Sequence, residues 1–83
     1  MKNILFYPIT TEKVVKLVEI ENKLIFVVDK KATKKEIGEA IEKEFKVEVE
    51  RVNVQIKKSK KIAFIKLKPK YLASDIATKL GMI

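Results

Sequence analysis

Lysine is the residue type in this chain best placed to do chemistry. Four lysines crowd one short stretch, Lys57, Lys58, Lys60 and Lys61 around Ser59, and a second set, Lys30, Lys31, Lys34 and Lys35, lies near mid-chain. A lysine ammonium is a strongly hydrated point charge with three donors and no acceptor, suited to holding phosphate oxygens. No acid occurs between Glu50 and Asp75. Residues 51–83 carry eight Lys and one Arg against one Asp, so they hold the whole chain's net charge of +8. A field that concentrated points to a polyanionic partner. Lysine also discourages edge pairing at a hairpin tip, but the density here exceeds that need. At the second set, lysines open a helix, where cations are unfavourable unless something neutralises them. A phosphate there would gain both the lysines and the free backbone N–H groups, although Asp29, Glu36 and Glu39 dilute the cluster.

Bond-making chemistry lacks its usual groups. The chain has no histidine and no cysteine, which removes the commonest general base, the commonest metal ligand and any thiolate site. Ser59 and Ser74 therefore have no imidazole to activate them. Gly38 and Gly81 are too few and too far apart for a phosphate loop. The acids of the second helix stand among lysines at helical spacing, Glu39 with Lys43 and Glu42 with Lys46. That pattern describes a solvated, salt-bridged face. No enzyme, metal site or cofactor is expected.

The elements that must position these lysines follow from periodicity and caps. Ile4 to Tyr7 reads as a strand ended or edged by Pro8. Thr10 or Thr11 can cap a first helix with Glu12 in its first turn and Val14, Leu17 and Val18 at helical spacing, stopping near Glu21-Asn22. Leu24 to Val28 is apolar without alternation, which suggests a central strand buried on both faces. Thr33 and Glu36 form a capping box for a second helix whose buried stripe is Ile37, Ala40, Ile41 and Phe45. Gly38, costly in a helix interior, suggests a close packing contact. Val52 to Ile56 and Ile62 to Leu67 then form a hairpin around the connector Lys57 to Lys61. Val47 and Val49 are out of phase with Val52, Val54 and Ile56, so either a bulge near Glu50-Arg51 or a strand starting only at Arg51 is expected. The return strand also reads as covered on both faces over its first half, and Pro69 ends it. Ser74 can cap a last short helix with Ile76, Ala77 and Leu80 inward and Gly81 as its stop.

The expected fold is α+β in the order β-α-β-α-β-β-α. It is a mainly antiparallel four-stranded sheet with helices on both faces, in three layers. Eighty-three residues are expected to form a single domain over 1–83. No apolar run approaches the ~20 residues a membrane helix needs, and MKNILFYPIT does not read as a signal peptide. Membrane insertion is not expected, and a cytosolic location fits.

Between nucleic acids, no lysine-rich stretch forms a basic helix suited to a major groove. Phe6, Phe26, Phe45 and Phe64 fall in apolar runs or stripes and are expected in the core. Without the paired aromatic motifs of the common single-strand RNA module, backbone and shape recognition of a folded RNA is expected.

Several stretches together carry a resemblance. Pro8-Ile9-Thr10-Thr11-Glu12-Lys13, Asn22-Lys23-Leu24-Ile25-Phe26-Val27-Val28 and Ala32-Thr33-Lys34-Lys35-Glu36-Ile37 resemble the universal large-subunit ribosomal protein L twenty-three family. So do the run Phe45 to Asn53, the strand Ile62 to Lys68 and the stretch Tyr71 to Met82, the last similar to the C-terminal helix of the archaeal and eukaryotic branch. The resemblance implies a structural ribosomal protein in the cytoplasm that binds the third domain of the large-subunit RNA beside the exit of the peptide tunnel. It implies ribosomal protein L twenty-nine as a neighbour, and the signal recognition particle and nascent-chain chaperones as docking partners. Glu12 matches the family's docking acid. Bacterial relatives carry a long hairpin extension into the tunnel; here the connector is short, so a tunnel-lining role is not expected. The expected RNA contacts are Thr10, Thr11, Lys13, Lys30, Lys31, Lys34, Lys35, Arg51, Asn53, Lys57, Lys58, Lys60, Lys61, Lys66, Lys68 and Lys70. The rival readings are a free-standing nucleic-acid binder and a protein-docking module whose lysines only solubilise it.

Overall fold

Strand β2 (Lys23–Val28) is the centre of the molecule, with every residue from Leu24 to Val28 buried. The computed structural model describes residues 4–81; Met82, the last residue of the C-terminal stretch quoted above, lies outside them. Around β2 stand β1 (Leu5–Pro8), α1 (Glu12–Glu21), α2 (Lys34–Phe45), β3 (Val49–Lys57), β4 (Lys60–Leu67) and α3 (Ala73–Lys79). The sheet order is β1-β2-β4-β3, and every neighbouring pair is antiparallel. Class and element order are those expected from the sequence.

Side chains alternate across a strand, so register assigns each residue a face. Leu24, Ile65 and Val52 are cross-strand neighbours, as are Phe26, Ala63 and Val54. This inner face is covered by α2, whose Phe45 ring lies 6.3 Å from that of Phe26. A methyl group on Gly38 would stand 3.5 Å from Val52 Cγ2. The helix does ride close on the strand, yet that spacing is ordinary van der Waals contact and an alanine would fit. Ile25 and Val27 point to the outer face and are buried too. On β4, Ala63, Ile65 and Leu67 are fully buried, whereas Ile62 and Phe64 on the outer face are only half-buried. On β3 the outer residues Arg51, Asn53 and Gln55 are exposed. Two-sided cover is thus complete at β2, partial on β4 and missing on β3. α1 and α3 pack against β2 and against each other.

Local signals set the element ends. Thr11, rather than Thr10, caps α1, its Oγ1 accepting the Val14 N–H at 3.2 Å. Thr33 and Glu36 form both bonds of the capping box on α2. Of the two alternatives for the phase slip the bulge holds: β3 starts at Val49, and the β3–β4 register shifts between Val49 and Arg51, leaving Glu50 as the extra residue. The hairpin connector is shorter than expected. Lys57 pairs with Lys60 as strand residues, and only Lys58 and Ser59 turn, both at positive φ (48° and 65°). Two positive φ angles give a turn whose twist matches the flanking strands.

The start of α3 corrects another expectation. Ser74 is not its cap, and Leu72, at that position, makes no side-chain cap bond. Instead Asn22 Oδ1 accepts the Ala73 N–H at 2.7 Å, and Asn22 Nδ2 donates to the Tyr71 carbonyl at 2.8 Å and the Leu67 carbonyl at 3.3 Å. Asn22 itself ends α1 in the left-handed region, φ 56°, which asparagine tolerates better than most residues. One residue thus ends α1 with its backbone and, with its side chain, caps α3 and ties both to β4. Asn22→Ala should cost roughly 2–4 kcal/mol, combining lost bonds with left-handed strain. Asn22→Gly should recover only the backbone part. Chemical denaturation of the three proteins checks the order, which fails if Gly matches Asn.

Candidate nucleic-acid interface

The hairpin tip and the β2–α2 loop meet through one lysine. Lys61 Nζ donates to the Ala32 carbonyl at 2.6 Å and to the Lys30 carbonyl at 3.4 Å. Lys61 is half-buried and is therefore a tie rather than a free finger. The loop is further ordered by Lys31 N–H donating to Asp29 Oδ1 at 3.0 Å. The two lysine clusters, far apart in sequence, become one patch. Lys30, Lys31, Lys34, Lys35, Lys57, Lys58 and Lys60 on it are all exposed. Lys60 Nζ donates to Tyr7 Oη at 3.0 Å and lies 5.8 Å from that ring's centroid, a cation–π contact.

The C-terminal lysines behave differently. Lys68 and Lys70 meet the two oxygens of Glu48 at 3.3 and 3.4 Å, and Tyr71 Oη donates to Glu48 at 3.1 Å. Lys66 stands 3.9 Å from Glu50. The acid-free interval from Glu50 to Asp75 is therefore a property of the sequence, not of the surface, because the antiparallel pairing returns Lys66 to Lys70 beside Glu48 and Glu50. Hydrogen bonds from Lys68, then Tyr71 and Lys70, hold the Glu48 carboxyl below its ordinary 4.5. The Lys70 ammonium is raised, first by its bond to Glu48. A carboxyl depressed by folding contributes stability above its unfolded pKa and loses it as pH falls through the folded one. Glu48→Gln should accordingly lower the thermal midpoint at neutral pH and have no effect once Glu48 is protonated in both states. A midpoint difference constant from neutral to strongly acidic pH would exclude this role.

The outer strip of β3 and β4 forms a second surface. Arg51 lies opposite Lys66, Asn53 opposite Phe64, Gln55 opposite Ile62, and Lys57 opposite Lys60. Arg51 and Lys57 make no ion pair among the described residues. The group at the start of α1 is elsewhere. Ile9 N–H donates to the Ile25 carbonyl, which sets Thr10, Thr11, Glu12 and Lys13 toward the end of β2 away from the lysine patch. Thr10, Glu12 and Lys13 are exposed, and the Thr11 hydroxyl is engaged as a cap. Sequence reasoning missed Tyr7 and Gln55, and Phe6, expected in the core, is 50% exposed on edge strand β1. A four-residue run without alternation carried no signal for its outward face.

The whole arrangement can bind and position phosphates. Among the described residues no cluster of acids could hold a metal ion, and no helix is long and apolar enough to cross a membrane. Comparison with known proteins adds the context. A family model described as "Ribosomal protein L23" matches residues 3–74. Proteins described as "Large ribosomal subunit protein uL23" from Methanococcus aeolicus and Methanococcus vannielii are each 50% identical over 76 residues, covering 90% of this chain and 88% of theirs.

Proposed function

The chain belongs to the ribosomal protein L23 family, proteins of the large ribosomal subunit, and from that premise we propose that it is a non-catalytic structural constituent anchored there by ribosomal RNA. The observation that carries the reading is the Lys61 tie to the Ala32 and Lys30 carbonyls, which merges two lysine clusters into one phosphate-holding patch. Lys57, Lys58 and Lys60 meet the RNA from the hairpin, and Lys30, Lys31, Lys34 and Lys35 from the β2–α2 side. Lys66, Lys68 and Lys70 contribute less, because Glu48 and Glu50 already neutralise them in part. Arg51 and Asn53 lie on the adjoining strip, and Thr10, Thr11 and Lys13 form a separate, weaker contact.

The RNA is the third domain of the large-subunit RNA, beside the exit of the peptide tunnel in the cytoplasmic ribosome. There the chain neighbours ribosomal protein L twenty-nine. Glu12, exposed on the first turn of α1, belongs to a docking surface for the signal recognition particle and nascent-chain chaperones. The two-residue hairpin turn is too short to line the tunnel. The test is co-sedimentation of the tagged protein with large subunits through a high-salt wash. Retention on the subunit is expected. Recovery in the unbound fraction at every salt concentration would favour a free-standing binder.

A further inference from the structure

We propose that the outer strip of β3 and β4, which shares Lys57 and Lys60 with the lysine patch at its hairpin end, binds an unpaired RNA segment; this deepens the rRNA-binding reading and rests on it. An antiparallel sheet commonly leaves one face to water, so polarity there would mean little. The kind of polarity is what matters. The exposed face of α2 mixes Lys43 with Glu39 and Glu44, the ordinary solvated pattern. On the outer strip, positions 51, 53, 55 and 57 are Arg, Asn, Gln and Lys, all exposed and all on one face because Val52, Val54 and Ile56 take the other. Cations end the strip, Arg51 opposite Lys66 and Lys57 opposite Lys60, while amides hold its middle.

Beside each amide lies an apolar surface. Phe64 is opposite Asn53 and Ile62 opposite Gln55, and both are half-buried. The row through Gln55 and Ile62 is closed at β2 by the buried Val27, and Tyr7 beyond it, 46% exposed, meets the strip through Lys60. From Arg51 to Lys57 the strand spans ~20 Å, and a sheet face can stack two or three bases. Amides offer a donor and an acceptor to base edges, whereas duplex RNA keeps its Watson–Crick edges paired and its major-groove edges out of reach of side chains. A flat strip with phosphate-binding ends, amides and aromatic flanks fits unpaired nucleotides. Phe64 would supply stacking within the strip and Tyr7 at its far margin, with Lys60 leaving the Tyr7 hydroxyl for a phosphate.

The test uses the full chain with two probes, a mixed-sequence single-stranded RNA of about eight nucleotides and a fully paired RNA hairpin. Binding is read by anisotropy, and the side-chain amide resonances of Asn53 and Gln55 are followed by NMR. Asn53→Asp with Gln55→Glu is nearly isosteric on an exposed surface and should preserve folding. It should weaken the single strand about tenfold or more while changing the hairpin by less than about threefold. Lys31→Ala with Lys58→Ala should do the reverse. If the wild type binds the hairpin but the acidic pair affects both probes equally or neither, or if the Asn53 and Gln55 amides do not shift with the single strand, the strip is not a site and the lysine patch alone carries RNA. If the wild type binds neither RNA, the rRNA-binding reading fails and this inference with it.

Discussion

Replacing Lys31, Lys35, Lys57 and Lys58 together by alanine should lower affinity for folded ribosomal RNA roughly 10²- to 10³-fold at about 0.1 M salt. It should also flatten the plot of log affinity against log salt by roughly three units. Each phosphate contact contributes about 0.7–0.9 to that slope through counterion release, and four contacts removed set both figures. These four ammonium groups are exposed and make no ion pair among the described residues. Their loss should leave the fold intact, and removing Lys35 from the first turn of α2 relieves an unfavourable interaction with the helix dipole. Lys61 plays a different part. Its ammonium serves the Ala32 and Lys30 carbonyls, so its removal would loosen the loop and confuse stability with binding. A filter-binding salt series on both proteins, with matched thermal midpoints, checks the expectation. Unchanged affinity and slope would remove the patch from the interface.

Ile65→Ala should produce the largest loss of stability, roughly 2–5 kcal/mol, the range for large-to-alanine substitution in a tight core. Ile65 is fully buried in β4 and stands between Leu24 of β2 and Val52 of β3, beneath α2. Neither neighbouring strand can close the gap without disturbing its own register. For a domain of this size each kcal/mol moves the midpoint by about 4–8 °C, so a fall of roughly 8–40 °C is expected. Ile56→Ala is the control, because Ile56 is 66% exposed near the hairpin end of β3; it should stay within about 0.5 kcal/mol. Thermal unfolding followed by circular dichroism measures both. Similar midpoints for the two variants would mean that the core is not centred on the β2–β4 pair.

What was legible in the sequence was local. The capping box at Thr33, the stop at Asn22, the two-sided burial of Leu24 to Val28 and the bulge at Glu50 all depend on residues a few positions apart. What was not legible depends on long separations. Asn22 caps a helix 51 residues away, and Lys61 reaches a carbonyl 29 residues back. Glu48 gathers Lys68, Lys70 and Tyr71 only because β3 and β4 are antiparallel. A count of charges along the chain therefore overstated the basic character of the last lysines and missed the joining of the first two clusters. The two-residue turn was hidden because Lys58-Ser59 lacks the Asn-Gly or Gly signature such turns favour. The apolar residues of β4 occupy both phases, which implies cover on both faces over its first half, yet the outer face opens toward β3 and leaves Phe64 half-buried.

The most direct measurement is binding of the chain to the isolated third domain of the large-subunit RNA, against an equally long unrelated folded RNA, across a salt series. A preference for the ribosomal fragment that persists as salt rises is the result expected of a protein with a fixed place in the large subunit. Equal binding to both RNAs, vanishing together with salt, would contradict that assignment and leave only non-specific attraction between a basic patch and phosphate.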